Sequence, residues 1–266
     1  MQYFVMKKAK ELNCKVLLDG QGGDESLLGY ERFYPAFLKG QKFLNKIKIL
    51  LDSSHNSNLS IKEILLYYIY FTNTKIRIFR LKNRNSFIKK GYLSLISKNL
   101  MKSHLKSYFD IIAMQKNELL CMPFPSLLRY ADKNSMRHSV ETRLPFIDFQ
   151  TLEAALSFNN QYKIKDGWSK YILRKSVVVD KILPNEVVWR KSKLGFDAPE
   201  LTWVNLLNDQ LSKAIENSKI LSEIVYDRSI DLNKLANREK WKFFNITKWE
   251  KIYNVSIRQN ANETKI

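Results

Sequence analysis

Lys15-Val-Leu-Leu-Asp19-Gly-Gln-Gly-Gly-Asp24-Glu25 is a short apolar run that ends in a glycine-rich turn and passes into two acidic residues. Lys15 to Asp19 reads as a short buried strand, because its apolar run is brief and bounded by a strong turn signal. Before it, residues 2–12 carry Val5, Met6, Ala9 and Leu12 at helical spacing, with Asn13 as a stop. After it, Asp24 and Glu25 are predicted to open a helix that continues to about Phe37. Helix, strand, glycine turn, helix is the unit of an α/β nucleotide-binding sheet. Glycines at a strand end let the backbone approach a ligand and present unhindered N–H groups. The helix N-terminus that follows favours anions. Two carboxylates there would repel a bare phosphate, but a divalent cation removes the conflict, since magnesium is held by one or two carboxylates plus phosphate oxygens. The turn therefore suggests a metal–triphosphate site. A helix stabilised by its own acidic first turn satisfies the same residues, and the turn alone does not separate the two readings.

Three further segments carry charge in unusual patterns. Ser126 to Asp148 packs charges among apolar residues, which predicts buried ion pairing, with Glu141 and Arg143 as one pair and with Asp148 capping a following helix. Asp166-Gly-Trp-Ser-Lys170-Tyr-Ile-Leu-Arg174 places two cations four residues apart, so a helix there would carry them on one face. Such a pair can stabilise a phosphoryl group in transition or lie on a solvated face. Leu183 to Pro199 holds Arg190, Lys191 and Lys193 beside Gly195, either an anion-binding wall or a surface loop. Residues 40–118 are rich in Lys, Asn, Ile and Tyr, read as three to five helices, and show no chemistry.

Composition narrows the class. The 266 residues are 45% apolar with 15 Phe, 13 Tyr and 5 Trp, which excludes global disorder. Only 8 Gly and 6 Pro are present, too few for the tight turns of a sandwich or barrel, so a helix-rich fold is expected. The formal charge of +19 invites a nucleic-acid reading. The basic residues are scattered rather than gathered in a stripe, and net charge speaks to solubility rather than fold, so nucleic acid is not expected as a partner. Two cysteines, Cys14 and Cys121, offer neither a disulfide framework nor zinc spacing. Cys14, next to the strand, is expected in the core, and a cytoplasmic setting is expected. The longest apolar run, Ile64 to Phe71, is far shorter than the ~20 residues that span a bilayer, and Lys7, Lys8 and Lys10 interrupt any signal-peptide core.

Taken in order, the four segments resemble the synthetase domain of the class B, glutamine-hydrolysing asparagine synthetase family. Its turn motif, close to LSGxGxDExxxGY, is matched by Leu18 to Tyr30. A segment like LLRYxDxxSMxxSxExRxPFLD is matched from Leu127 to Asp148, GxxKYxLR from Gly167 to Arg174, and LPxxxxxRxKxGFxxP from Leu183 to Pro199. The resemblance implies a helix-rich α/β fold with an incomplete parallel sheet of the adenine-nucleotide-alpha-hydrolase-like (PP-loop ATPase) kind over residues 1–255, then a polar tail over 256–266. It implies ATP and Mg2+ as cofactors, and aspartate or a related carboxylate and ammonia as the other substrates. ATP would adenylate the carboxylate, and ammonia would displace AMP. Asp19, Gly20 and Gly22 fall where the family's turn contacts ATP, Asp24 on a metal ligand, and Lys170 on the lysine that neutralises phosphate charge.

Gln21 departs from the pattern. It stands where many asparagine synthetases carry a glutamate thought to help remove a proton from ammonia, and a glutamine cannot act as a base. That departure keeps open an amidotransferase of surface-polysaccharide or secondary-metabolite pathways. The family's SGGxDS pyrophosphate loop and its glutaminase domain with an N-terminal cysteine have no counterpart in these residues. The expectations are therefore a chain inactive alone, an open sheet edge, and a separate chain supplying the loop and the glutaminase. A non-catalytic remnant or interaction module is the alternative.

Overall fold

The computed structural model describes residues 1–84, 87–94, 98–192, 198–225 and 235–257. Lys193, Gly195 and residues 258–266 of the polar tail lie outside them. The first half runs α1 (Gln2–Glu11), β1 (Val16–Leu18), α2 (Gly23–Ser26), α3 (Phe33–Lys39), α4 (Phe43–Asn56), α5 (Ile61–Thr72), α6 (Thr74–Arg84), α7 (Lys90–Ser94), α8 (Lys98–Ser107) and α9 (Ile111–Leu120). The second runs α10 (Phe124–Arg137), β2 (Glu141–Arg143), a 3-10 turn (Pro145–Ile147), α11 (Phe149–Ser157), α12 (Asn160–Lys163), β3 (Ile164–Lys165), β4 (Trp168–Ser169), α13 (Tyr171–Val179), α14 (Asn185–Val188), α15 (Glu200–Leu206), α16 (Asn208–Glu216), α17 (Lys219–Ile224) and α18 (Asn237–Tyr253). The helix-rich expectation holds. No helix of the described residues is long and apolar enough to cross a membrane.

The chain divides into two compact units, Met1–Phe79 with Lys98–Phe196, and Arg80–Ser97 with Asp197–Ile266. The first holds the predicted strand, which is not buried as expected: Val16 and Leu18 are exposed and Leu17 alone is partly covered. β1 pairs in parallel with β2, in register Val16 with Glu141, Leu17 with Thr142 and Leu18 with Arg143. The ladder continues where the Asp19 amide donates to the Arg143 carbonyl at 2.8 Å. Leu17 packs with Met6, Ala9 and Val140 against α1 and α10. Alternation sends Val16 and Leu18 to the opposite face, where Leu18 is 75% exposed. Parallel sheets are ordinarily covered on both faces, so this face is open among the described residues.

The centre of the first unit is α3, whose Phe33, Tyr34, Pro35, Ala36, Phe37 and Leu38 are all buried. A helix apolar on every side belongs in a core. Phe33, Tyr34, Ala36 and Phe37 join Leu28, Met114 and Ile164 in one cluster. Each large side chain so buried contributes about 1.5–3 kcal/mol of transfer free energy. In the second unit, Phe243 of α18 is buried and meets Phe87 edge-on at 5.1 Å. Glu250 accepts from the Lys219 amide at 2.9 Å and from the Ser218 hydroxyl, tying α18 to the start of α17.

Four expectations are corrected. Cys14 is exposed, because the chain leaves α1 through Asn13 at φ 56 and turns it outward. Glu141 and Arg143 do pair, at 2.7 Å, but on the open side of β2 with side chains 58% and 64% exposed; such a pair contributes little. The helix begun at Asp24 does not reach Phe37. It stops after one turn, with Leu28 left-handed at φ 55 and the Gly29 amide bonded back to the Asp24 carbonyl, a Schellman-type ending. The Gln115 amide donates to the Glu25 and Ser26 carbonyls at 3.0 and 2.7 Å, so helix-end acceptors that would otherwise be orphaned are satisfied from α9. Residues 40–118 hold more helices than expected, α4 to α9.

Candidate functional site

The glycine turn is built by packing beneath it. Asp19 Oδ1 accepts the Gln21 amide at 3.1 Å, a local turn that reverses the chain as it leaves β1. Gly22 is left-handed at φ 95, and a Cβ there would lie 2.4 Å from Ile147. Its missing side chain is thus demanded by the 3-10 turn, whereas the space beside Gly20 is open to 4 Å. Gln21 lies between them, and its buried Oε1 meets no hydrogen-bond partner among the described residues. A buried amide oxygen left unpaired costs about 1–3 kcal/mol, so this acceptor suits an N–H donor.

α2 then separates the two acidic residues. Glu25 is buried and accepts from the Tyr30 hydroxyl at 2.8 Å. Burial, and then that bond to Glu25, push the Tyr30 phenol above its ordinary range. Glu25 is therefore a structural acceptor and does not stand beside Asp24 as a second metal carboxylate. Asp24 Oδ1 lies 3.0 Å from Lys170 Nζ, with side chains 28% and 25% exposed. Two motifs distant in sequence meet here. Gly29 makes the meeting possible, since a Cβ on it would fall 2.0 Å from Asp24 Oδ1 and 2.3 Å from Lys170 Cε.

Lys170 is delivered by a hairpin. β3 and β4 pair antiparallel, Ile164 with Ser169 and Lys165 with Trp168. The Asp166-Gly167 turn between them has φ 48 and 76, the positive pair expected of the commonest two-residue hairpin loop. Lys170 follows at φ 52 and caps α13 rather than lying within it. The predicted shared helix face of Lys170 and Arg174 is therefore corrected. Arg174 is half-buried and donates from Nε to the Ser169 carbonyl at 2.9 Å and from Nη1 to the Val188 carbonyl. Tyr34 donates to the Gly167 carbonyl at 2.7 Å, and Asn56 donates to the Asp166 carbonyl at 2.8 Å. The hairpin and the roles of Gly29 and Tyr34 were missed from sequence, although Asp-Gly is a standard hairpin signal and Gly29 lies inside the quoted turn motif.

Behind the site, Gln115 also links α2 to Lys163, whose Nζ donates to Gln115 Oε1 at 3.5 Å. Lys163 is 1% exposed, and burial pulls its pKa down to about 8 from 10.5. Between these values the unfolded chain holds the extra proton, so stability rises with pH across that window and the penalty is complete below it. Lys163→Met is expected to be more stable than the parent at pH 7 by about 1–2 kcal/mol. The gain should vanish near pH 10.5, as urea unfolding at the two pH values would show. A cleft of about 600 Å3 between α9 and α11 is lined by residues that include Gln115, Leu119, Leu152 and Phe158, but neither Asp24 nor Lys170.

Asp24 fits magnesium as a single protein carboxylate completed by phosphate oxygens and water. Among the described residues no three His, Cys, Asp or Glu side chains converge, so a divalent ion there would need the phosphates as ligands.

Comparison with known proteins accords with these motifs. The family model described as Asparagine synthase matches residues 1–255. Asparagine synthetase [glutamine-hydrolyzing] 1 of Bacillus subtilis (strain 168) is 30% identical over 245 residues, covering 86% of this chain and 38% of that protein. Asparagine synthetase [glutamine-hydrolyzing] of Gallus gallus is 30% identical over 91 residues, 33% of this chain and 16% of its own length. The probable asparagine synthetase [glutamine-hydrolyzing] of Schizosaccharomyces pombe is 30% identical over 97 residues, 34% of this chain and 17% of its own length. No solved structure gave a significant match. The chain thus spans less than two fifths of the length of these relatives. With the ordered motifs and a family match that runs from residue 1 to 255, the chain belongs to the asparagine synthase family.

Proposed function

We propose that this chain carries the ATP-handling half of an amide-forming synthetase that adenylates aspartate, or a related carboxylate, and delivers the acyl group to ammonia. The observation that carries this reading is the 3.0 Å pair between Asp24 and Lys170 at the mouth of the glycine turn. Asp19, Gly20 and Gly22 shape the backbone that receives the nucleotide, with the open space at Gly20 as the point of closest approach. Asp24 would hold magnesium, which supplies charge neutralisation on the triphosphate. Lys170, which pairs with Asp24, turns its ammonium to the phosphate oxygens as the carboxylate attacks the α-phosphorus and pyrophosphate leaves. Gln21 offers its unpaired Oε1 to an N–H of the incoming ammonia. As an acceptor only, it orients the nucleophile and leaves the proton to another group. This same residue favours, as a second reading, a carboxylate acceptor other than aspartate.

The parallel pair β1–β2 belongs, in this reading, to a larger sheet of the adenine-nucleotide-alpha-hydrolase-like kind, whose added strands extend the pair at its edge and whose crossover helices cover the face of Leu18. The pyrophosphate loop of the SGGxDS type and the glutaminase that releases ammonia come from polypeptide outside these 266 residues. The test is ATP–pyrophosphate exchange with aspartate, measured on the chain alone and on the chain together with the polypeptide carrying that loop. Exchange is expected only in the second case. It should fall by at least about 100-fold in Asp24→Ala and in Lys170→Met, the scale of losing a transition-state charge contact. Exchange by the chain alone would remove the requirement for the loop, and undiminished exchange in both variants would end the assignment of Asp24 and Lys170.

A further inference from the structure

A lysine at the foot of a two-residue hairpin has little to hold it in place. The backbone of Lys170 is moreover in the left-handed region, a conformation that surrounding structure must enforce. One set of contacts that enforce it comes from Arg174, in the first turn of α13. Its guanidinium grips two separate stretches of chain at once: the carbonyl of Ser169, immediately before Lys170, and the carbonyl of Val188 at the end of α14, with the Arg190 carbonyl at 3.5 Å. The same guanidinium lies 4.9 Å over the ring of Trp168, and Trp168 meets Trp189 edge-on at 5.2 Å. The Arg174 amide in turn donates to the Lys170 carbonyl at 3.0 Å. A rigid planar fork suits this double carbonyl grip, and a lysine cannot reproduce it.

We propose that Arg174 is a positioning residue: it clamps the Lys170 hairpin to the end of α14 and so holds the Lys170 ammonium at Asp24, without itself meeting the nucleotide. The proposal deepens the reading of Lys170 as the phosphate-facing cation and rests on it for its functional consequence. The positional claim stands on geometry and is measured separately. Tyr34 and Asn56 also hold the hairpin, through the Gly167 and Asp166 carbonyls, and of these three side chains Arg174 is the one that also reaches the segment after α14.

The test uses the 266-residue chain with its lysines reductively dimethylated with 13C and observed by NMR, the Lys170 signal being assigned with Lys170→Arg. Asp24→Asn marks where that signal lies once the pair is broken. In Arg174→Met the Lys170 signal is expected to move to the Asp24→Asn position, and the near-ultraviolet circular dichroism of the Trp168–Trp189 pair is expected to weaken. Arg174→Lys, which keeps the charge and loses the fork, should move the signal part of the way; it decides the matter if Arg174→Met does not fold. A Lys170 signal at the wild-type position in folded Arg174→Lys and Arg174→Met overturns the proposal. In the enzyme completed with its loop-bearing polypeptide, Arg174→Lys should lower kcat about tenfold while KM for ATP stays within about twofold, as expected when a transition-state contact is displaced. If the signal moves but Lys170→Met leaves exchange intact, the positional clamp stands and the assigned role of Lys170 fails.

Discussion

Replacing Arg32 with alanine is expected to destabilise the chain by about 3–5 kcal/mol at neutral pH, the cost of leaving a buried charge without its partner. Arg32 meets Glu118 in a two-pronged pair, Nε to Oε1 at 2.5 Å and Nη2 to Oε2 at 2.8 Å. The Glu118 side chain is 1% exposed, whereas Arg32 is 31% exposed and lies 3.9 Å over the Tyr30 ring. Burial already pushes the Glu118 carboxyl above its ordinary range, and Arg32 pulls it back. With the guanidinium gone, only burial and the nearby Glu25 act on Glu118, and both raise it further. The folded variant then holds a proton that the unfolded chain releases, so its stability falls as pH rises through that window. The deficit relative to the parent should be largest at pH 7 and shrink on acidification. Urea unfolding at pH 5 and 7 measures it. The double change Arg32→Met with Glu118→Leu, which removes both charges, should recover most of the loss. A deficit below about 1 kcal/mol at neutral pH would mean that water reaches Glu118 and that the pair is a surface one in energetic terms.

Gly167→Ala should be comparably severe, for a different reason. The added Cβ would lie 2.1 Å from the carbonyl oxygen of Asp52 and 2.6 Å from the amide nitrogen of Ser53. These are backbone atoms of α4, not ends of flexible side chains, so the helix or the hairpin must move. The position also has φ 76, which disfavours an L side chain. Strain at such a dihedral and overpacking each cost about 1–3 kcal/mol, for a sum of about 2–6 kcal/mol. The expected result is a fall in Tm of roughly 4–24 °C, taking about 2–4 °C per kcal/mol for a domain of this size. Loss of the Asp24–Lys170 pair should accompany it, because the hairpin that displaces from α4 carries Lys170. Gly20→Ala is the contrasting control: nothing lies within 4 Å of its added Cβ, so stability should stay within about 0.5 kcal/mol of the parent, as for a surface change away from special features. An unchanged Tm in Gly167→Ala would show that the close approach of α4 to the hairpin relaxes without cost.

Local pattern was enough for the elements whose stability is local. α1 with its stop at Asn13, the strand that follows it and the Asp148 cap of α11 all lie where spacing and capping chemistry put them. The serial order of four motifs was enough for the family. The strand's neighbour was not legible, since β2 is brought alongside β1 only after the chain has passed through α2 to α10. Nor was the early end of α2, which depends on an amide from Gln115 on a distant helix.

The chemistry of the site divides along the same line. Residue type and spacing marked the glycine turn with its two acids and the Lys170–Arg174 pair, and the family resemblance singled out Asp19, Gly20, Gln21, Gly22, Asp24 and Lys170 among them. Folding decided which of the two adjacent acids faces Lys170 and which is buried against Tyr30. It also turned Arg174 from a second phosphate cation into an internal clamp. The physical reason is range. Helix periodicity, caps and turns are set by interactions among residues a few positions apart, whereas the direction of a charged side chain is set by whichever carbonyl, ring or carboxylate packing brings within about 3–4 Å of it.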